Sequence, residues 1–264
     1  MMKIGMIQDT AAADAEENLK KIKTYAQKAQ ENNCQVLCFP EAFLTGYHPE
    51  CVREYALERE SSMVWRISEI AVDGQMDLLV GFMEKDGQQN YLTHGVFCAD
   101  GRKEFYRKTH LGMKEQQYFA VGNQLPVFQL TNGVKIGFQM CVECHFPEIT
   151  QSLSLKGAEI VFAPHAVPRA AGSRQKVWNR IIPARSYDNR IYMACCNLWD
   201  EERFGGGILV TAPDGETVAE YYDETAALIA VSVEPEMIQN YHQVKESKRY
   251  RYYPGWRRTE LYDR

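Results

Sequence analysis

An α/β layered domain with a mixed sheet is the fold class this sequence predicts, and three observations carry it. Short apolar runs alternate with longer amphipathic ones along the chain. Strand–helix–strand units are interleaved with Asn-Gly and Asp-Gly turns, which join antiparallel strands, so both senses of pairing are expected. The 264 residues, 45% hydrophobic and 25% charged, suffice for a sizeable core without staples, and no linker or repeat divides them. One domain spanning 1–264 is expected, with 245–264 as a basic, aromatic C-terminal arm.

The elements follow in order. Residues 3–8 (KIGMIQ) read as a strand. Residues 14–31 carry Leu19, Ile22, Tyr25 and Ala26 on one helical face. Residues 34–39 (CQVLCF) form a buried strand that stops at Pro40-Glu41, and 51–72 fit one long helix. Residues 77–84 and 91–99 are strands joined by a hairpin at Asp86-Gly87, and KEFYRK follows Asp100-Gly101 as another. In the second half the Asn132-Gly133 turn leads into a strand at 134–140, then a helix at 147–156 ended by Gly157. A strand at 159–163, a helix at 174–189, and strands at 191–197, 207–212, 216–221 and 227–233 complete the pattern.

Charge and cysteine usage exclude several functions. Lys and Arg total 30 against 35 Asp and Glu, a formal net charge of −5, which argues against a generic nucleic-acid binder. The first residues show no charged-then-apolar leader, and no apolar run approaches the ~20 residues of a membrane span, so the cytoplasm is expected. Thiols stay reduced there. Of the eight cysteines, Cys34, Cys38, Cys98, Cys195 and Cys196 lie in apolar runs as small hydrophobes, and Cys51 carries no motif.

Cys141 and Cys144 share an unusual segment, GFQMCVECHFPE (137–148). Cys141-Val142-Glu143-Cys144-His145 matches the haem attachment pattern, but the chain shows no export signal and Pro147 follows closely. Zinc would need a second ligand pair, and the adjacent Cys195-Cys196 is a poor chelate. The remaining chemistry is a nucleophile where a strand turns into a helix, at the carboxyl edge of a sheet. Taken alone, the segment leaves an inert buried cysteine equally open. Two further segments bear on it: CFPEAFLTGY (38–47) places Glu41 at a strand tip, and FYRKTHL (105–111) places Lys108 beside aromatics. A carboxylate that takes the thiol proton and an ammonium that stabilises thiolate and oxyanion would complete a site.

These segments resemble the nitrilase superfamily of carbon–nitrogen hydrolases. Cys38-Phe39-Pro40-Glu41 with Thr45-Gly46-Tyr47 resembles its glutamate segment, Tyr106-Arg107-Lys108-Thr109-His110-Leu111 its lysine segment, and residues 137–148 its cysteine elbow. The order and the gaps of 67 and 33 residues fit, and weaker matches extend over nearly the whole chain. The resemblance implies a four-layer α-β-β-α sandwich with mixed sheets, usually dimeric. It also implies a Glu41–Lys108–Cys141 triad without metal or cofactor, with Glu115 orienting substrate. Cys141 then takes the nucleophile position and Cys144 a variable one.

The expected reaction is hydrolysis of a small linear amide or N-carbamoyl compound through a thioester; a nitrilase, an acyltransferase and a non-catalytic binding scaffold are the alternatives. Glu143 stands where Asp is commoner, a feature of true nitrilases, while Phe146-Pro147-Glu148 and the surroundings of Glu115 look amidase-like. The Val142 N–H is expected to share the oxyanion with Lys108. Tyr47 and Phe119 are candidate pocket walls, and His145, His165 and Arg169 candidate substrate contacts, the last two as readers of a carboxylate. Partners expected are the small substrate and a second copy of the chain, with neither nucleic acid nor membrane.

Overall fold

The computed structural model describes residues 1–243 and 253–262. The part of the expected C-terminal arm at 245–252 and 263–264 lies outside the described residues. Two six-stranded sheets stack face to face. The first runs β12-β1-β2-β3-β4-β5, built from β1 (Met2–Gln8), β2 (Val36–Cys38), β3 (Asp77–Asp86), β4 (Gln89–Phe97), β5 (Lys103–Arg107) and β12 (Ala227–Val233). The second runs β11-β10-β9-β8-β7-β6, from β6 (Phe128–Gln129), β7 (Lys135–Phe138), β8 (Ile160–His165), β9 (Tyr192–Asn197), β10 (Ile208–Thr211) and β11 (Thr217–Tyr221). Both are mixed: β1, β2 and β3 are parallel in one and β7, β8 and β9 in the other, while the hairpins pair antiparallel.

Alternation along each strand sorts the core into three layers. Ile4, Met6, Cys38, Leu79 and Val96 of the first sheet face Phe138, Ile160, Phe162, Ala194 and Val210 of the second. On the outer face of the first sheet, α1 (Ala15–Glu31) and α3 (Ser62–Gly74) bury Leu19, Ile22, Val64 and Ile67 against Leu37, Leu78 and Val80. On the other outer face, α4 (Pro147–Leu155) and α5 (Arg174–Asn189) set Ile149, Leu153, Trp178 and Ile182 against Val161, Met193 and Leu209. This is the α-β-β-α sandwich. The strands are apolar on both faces because both are covered, so they read as continuous hydrophobic runs. The five cysteines assigned to apolar runs are buried and free, with Cys195 and Cys196 on opposite faces of β9.

Of the expected helices, one is broken, and β6 and α6 (Glu236–Gln243) are additions to the expected elements. The helix expected over 51–72 is broken into a short α2 (Val52–Tyr55) and α3, because the chain between them leaves the helix to extend the first sheet. Leu57 pairs with Glu84, donating its N–H to Met83 O at 2.9 Å and accepting from Lys85 N at 2.9 Å. Among the described residues no helix is long and apolar enough to cross a membrane. A final helix, α6 (Glu236–Gln243), follows β12.

Candidate active site

The carboxyl ends of β2, β5 and β7 meet at one edge of the sandwich, and each delivers one of the predicted triad residues. Glu41 follows β2 by three residues, Lys108 directly follows β5, and Cys141 follows β7 by three. The two sheets are tied there, since Glu41 N donates to His165 O at the end of β8, 3.3 Å away. The turn at Glu41 packs so closely on β3 that a Cβ on Gly81 would lie 2.5 Å from Ala42 N. Only glycine fits that approach.

Lys108 is fully buried, and its Nζ donates to Glu41 Oε1 at 2.8 Å and to Glu115 Oε1 and Oε2 at 2.8 and 3.0 Å. Glu115 is also buried and accepts from Gly112 N at 2.6 Å and from the Tyr47 hydroxyl at 2.8 Å. Burial disfavours the charged form of both carboxyls, but they settle differently. For Glu115 the Lys108 charge, together with the bonds from Gly112 and Tyr47, outweighs burial and holds the carboxyl below its usual range. For Glu41 burial dominates, and with the repulsion of Glu115 it pushes the carboxyl up to about 7 in spite of Lys108. Lys108 itself is held well above its ordinary value, because Glu41, Cys141 and Glu115 together overcome its desolvation. Glu115 thus balances the ammonium, and Glu41 is left poised to gain or lose a proton. Its Oε2 has no hydrogen-bond partner among the described residues.

Cys141 opens a 3₁₀ turn, Cys141–His145, with φ of +48°. A non-glycine residue in the left-handed region costs about 1–3 kcal/mol, strain that the surrounding bonds must hold. Burial pushes its thiol up to about 12, with Lys108 pulling down, the two glutamates pushing up and the Ala166 backbone pulling down. At rest the thiol is therefore protonated, next to a carboxyl able to accept the proton. The Val142 N–H lies in the first turn of this 3₁₀ helix, where backbone donors have no intrahelical acceptor. A cleft of about 680 Å³ is lined by Tyr47, Lys114, Ala166, Pro168, Arg203 and Phe204, and it adjoins the site through Tyr47, whose hydroxyl bonds Glu115.

The other predicted contacts distribute unevenly. Tyr47 walls the cleft, whereas Phe119 is buried and lines a neighbouring hollow. His145 is exposed at the end of the 3₁₀ turn. His165 is buried with both ring nitrogens occupied: Nδ1 lies 2.7 Å from Ala163 O, and Nε2 accepts from Trp178 Nε1 at 3.2 Å. Burial lowers it to about 3, so it is neutral and braces α5, with no nitrogen left for a carboxylate. The Arg169 guanidinium is likewise engaged, by Asp200 O at 2.8 Å and Glu224 at 2.5 Å. Sequence reasoning missed Arg203, which reaches the cleft from a loop more than 150 residues away and donates to Tyr47 O at 2.9 Å. Among the described residues no three His, Cys, Asp or Glu side chains cluster as a metal site.

Comparison with known proteins gives the family. The carbon–nitrogen hydrolase family profile matches residues 3–243. A hydrolase encoded in the pqqF 5′ region of Pseudomonas protegens is 32% identical over 95% of this chain and 86% of its own length. A nitrilase of Pyrococcus abyssi is 29% identical over 83% of this chain and 84% of its own. The NitN amidase of a Nesterenkonia species superposes with a TM-score of 0.85 at 27% identity, covering 99% of this chain and 98% of that one. A further structure of that amidase carries acrylamide added at its active-site cysteine. The chain belongs to the carbon–nitrogen hydrolase family, within the nitrilase superfamily.

Proposed function

We propose that this protein hydrolyses a small linear amide through a thioester on Cys141. The reading rests on one observation above all: a buried ammonium bonded to two carboxyls whose proton affinities are pushed apart, beside a thiol at a strained elbow. Glu41 takes the Cys141 proton as sulfur attacks the amide carbon. Lys108 Nζ and the Val142 N–H stabilise the oxyanion. Collapse of the tetrahedral intermediate breaks the C–N bond, and Glu41 returns its proton to the departing nitrogen. Water, deprotonated by Glu41, then attacks the thioester, releasing the acid and restoring the thiol.

The amidase fold match supports an amide over a nitrile, and an N-carbamoyl group offers the same carbon to attack. Glu143 and the similar nitrilase make nitrile hydrolysis the second reading. Ammonia release from matched aliphatic amide, carbamoyl and nitrile panels, with mass detection of the acyl-enzyme, separates them. Turnover of nitriles alone would overturn the amide reading.

The pH dependence carries a defined sign. Glu41 must be ionised to accept the thiol proton, and its folded value lies near 7. Accordingly, kcat/KM is expected to fall tenfold per pH unit below about 7 and to level off above it. An acid limb near the ordinary glutamate value would show that Glu41 is not raised by burial, and the absence of any acid limb would show that no carboxylate acts as the base.

A further inference from the structure

We propose that Glu143 is a positioning residue that sets the placement of Cys141 relative to Lys108. Its carboxylate is fully buried, and the nearest basic side chain among the described residues is the half-exposed His110, at 4.0 Å. Hydrogen-bond donors surround it instead. Oε1 accepts from the Tyr106 hydroxyl at 2.7 Å, from Thr109 N and Oγ1 at 2.7 Å each, and from His110 N at 3.1 Å. Oε2 accepts from Met140 N at 2.7 Å. Thr109 and His110 directly follow Lys108, and Met140 directly precedes Cys141. One carboxyl group therefore spans the backbones that carry the proposed oxyanion donor and nucleophile.

The same residue closes the strained elbow. The Glu143 N–H donates to Met140 O at 2.9 Å while Met140 N returns a bond to the side chain, and Cys141 lies between them at φ +48°. Length matters here. An aspartate is shorter by one carbon–carbon bond, about 1.5 Å, and would not keep both sets of donors without moving one segment toward the other. The inference rests on Cys141 and Lys108 acting together, as in the proposed function.

Two variants test it. Glu143→Gln keeps the volume, but with its carbonyl on the four donors it turns a second donor toward Met140 N. Glu143→Asp keeps the charge and shortens the reach. In folded protein, each is expected to lower kcat about 100-fold, the cost of an ångström-scale misplacement, with KM changed less than about threefold. Alkylation of Cys141 by iodoacetamide should slow in both, with its pH dependence moved upward as Lys108 acts less on the thiol. Native kcat in either folded variant, or a raised KM at unchanged kcat, would overturn the proposal.

If Glu143→Gln does not fold, Tyr106→Phe and Thr109→Val each remove a side-chain donor and leave the carboxylate in place. A lowered kcat at unchanged KM in these supports the role, and native kcat in both sinks it. Alkylation needs no substrate. Slowed alkylation in the variants of a protein that turns over no amide would therefore uphold Glu143 and discard the amide reading.

Discussion

Replacing Cys141 by alanine is expected to abolish turnover, with kcat falling about 10⁶-fold, as for other removed nucleophiles, because the oxyanion donors alone cannot supply the covalent step. Cys144→Ala should keep turnover. The two thiols are three residues apart, but Cys144 is buried against Ile149, Leu153 and Trp178 behind the second sheet, its Sγ 3.5 Å from Gln139 O. Burial raises it well above the ordinary thiol value. Ammonia release and the mass of a trapped acyl-enzyme check both variants. An active Cys141→Ala, or a label on Cys144, would remove Cys141 from the mechanism.

The second large effect is expected at Lys108. Its ammonium makes three bonds of 2.8–3.0 Å to two carboxyls in a space closed to solvent. Lys108→Arg keeps the charge, but the planar guanidinium is wider and presents its donors as a fork. It would splay Glu41 from Glu115 and displace the donor aimed at the oxyanion. A fall of about 10³-fold in kcat is expected, the upper end for loss of one oxyanion donor. Circular dichroism establishes that the variant folds, and near-native turnover would reduce Lys108 to an electrostatic neighbour.

The elements most readable from the chain were those with a local cause. Helix α1 begins at the Asp14 cap, whose side chain accepts from Glu16 N and Glu17 N, and its apolar spacing is visible in isolation. The Asp-Gly and Asn-Gly hairpins are likewise written in neighbouring residues. The break between α2 and α3 was not readable, because its cause is Leu57 pairing with a strand tip nearly thirty residues away.

The site divides in the same way. Residue types at motif spacing singled out Glu41, Lys108 and Cys141, the family resemblance added Glu115, and the structure brings these four together. The carboxylate readers followed another logic. His165 and Arg169 looked available because a loop composition shows no partners, yet Trp178, Asp200 and Glu224 occupy them after folding. Glu143 stood out in the sequence only as a substitution for aspartate; four of its five donors come from residues 106–110 at the end of a strand of the other sheet.

What the sequence by itself determined, then, is the strand–helix order, the chemistry of the candidate residues and the resemblance they carry, since side-chain identity and local periodicity are properties of the chain. Only the tertiary structure decided which of two glutamates is pushed up toward neutral pH, that His165 keeps no nitrogen free, and which cysteine lies beside Lys108 and Glu41. Those outcomes depend on desolvation and on hydrogen bonds between segments far apart in sequence, and both exist only once the two sheets have closed on each other.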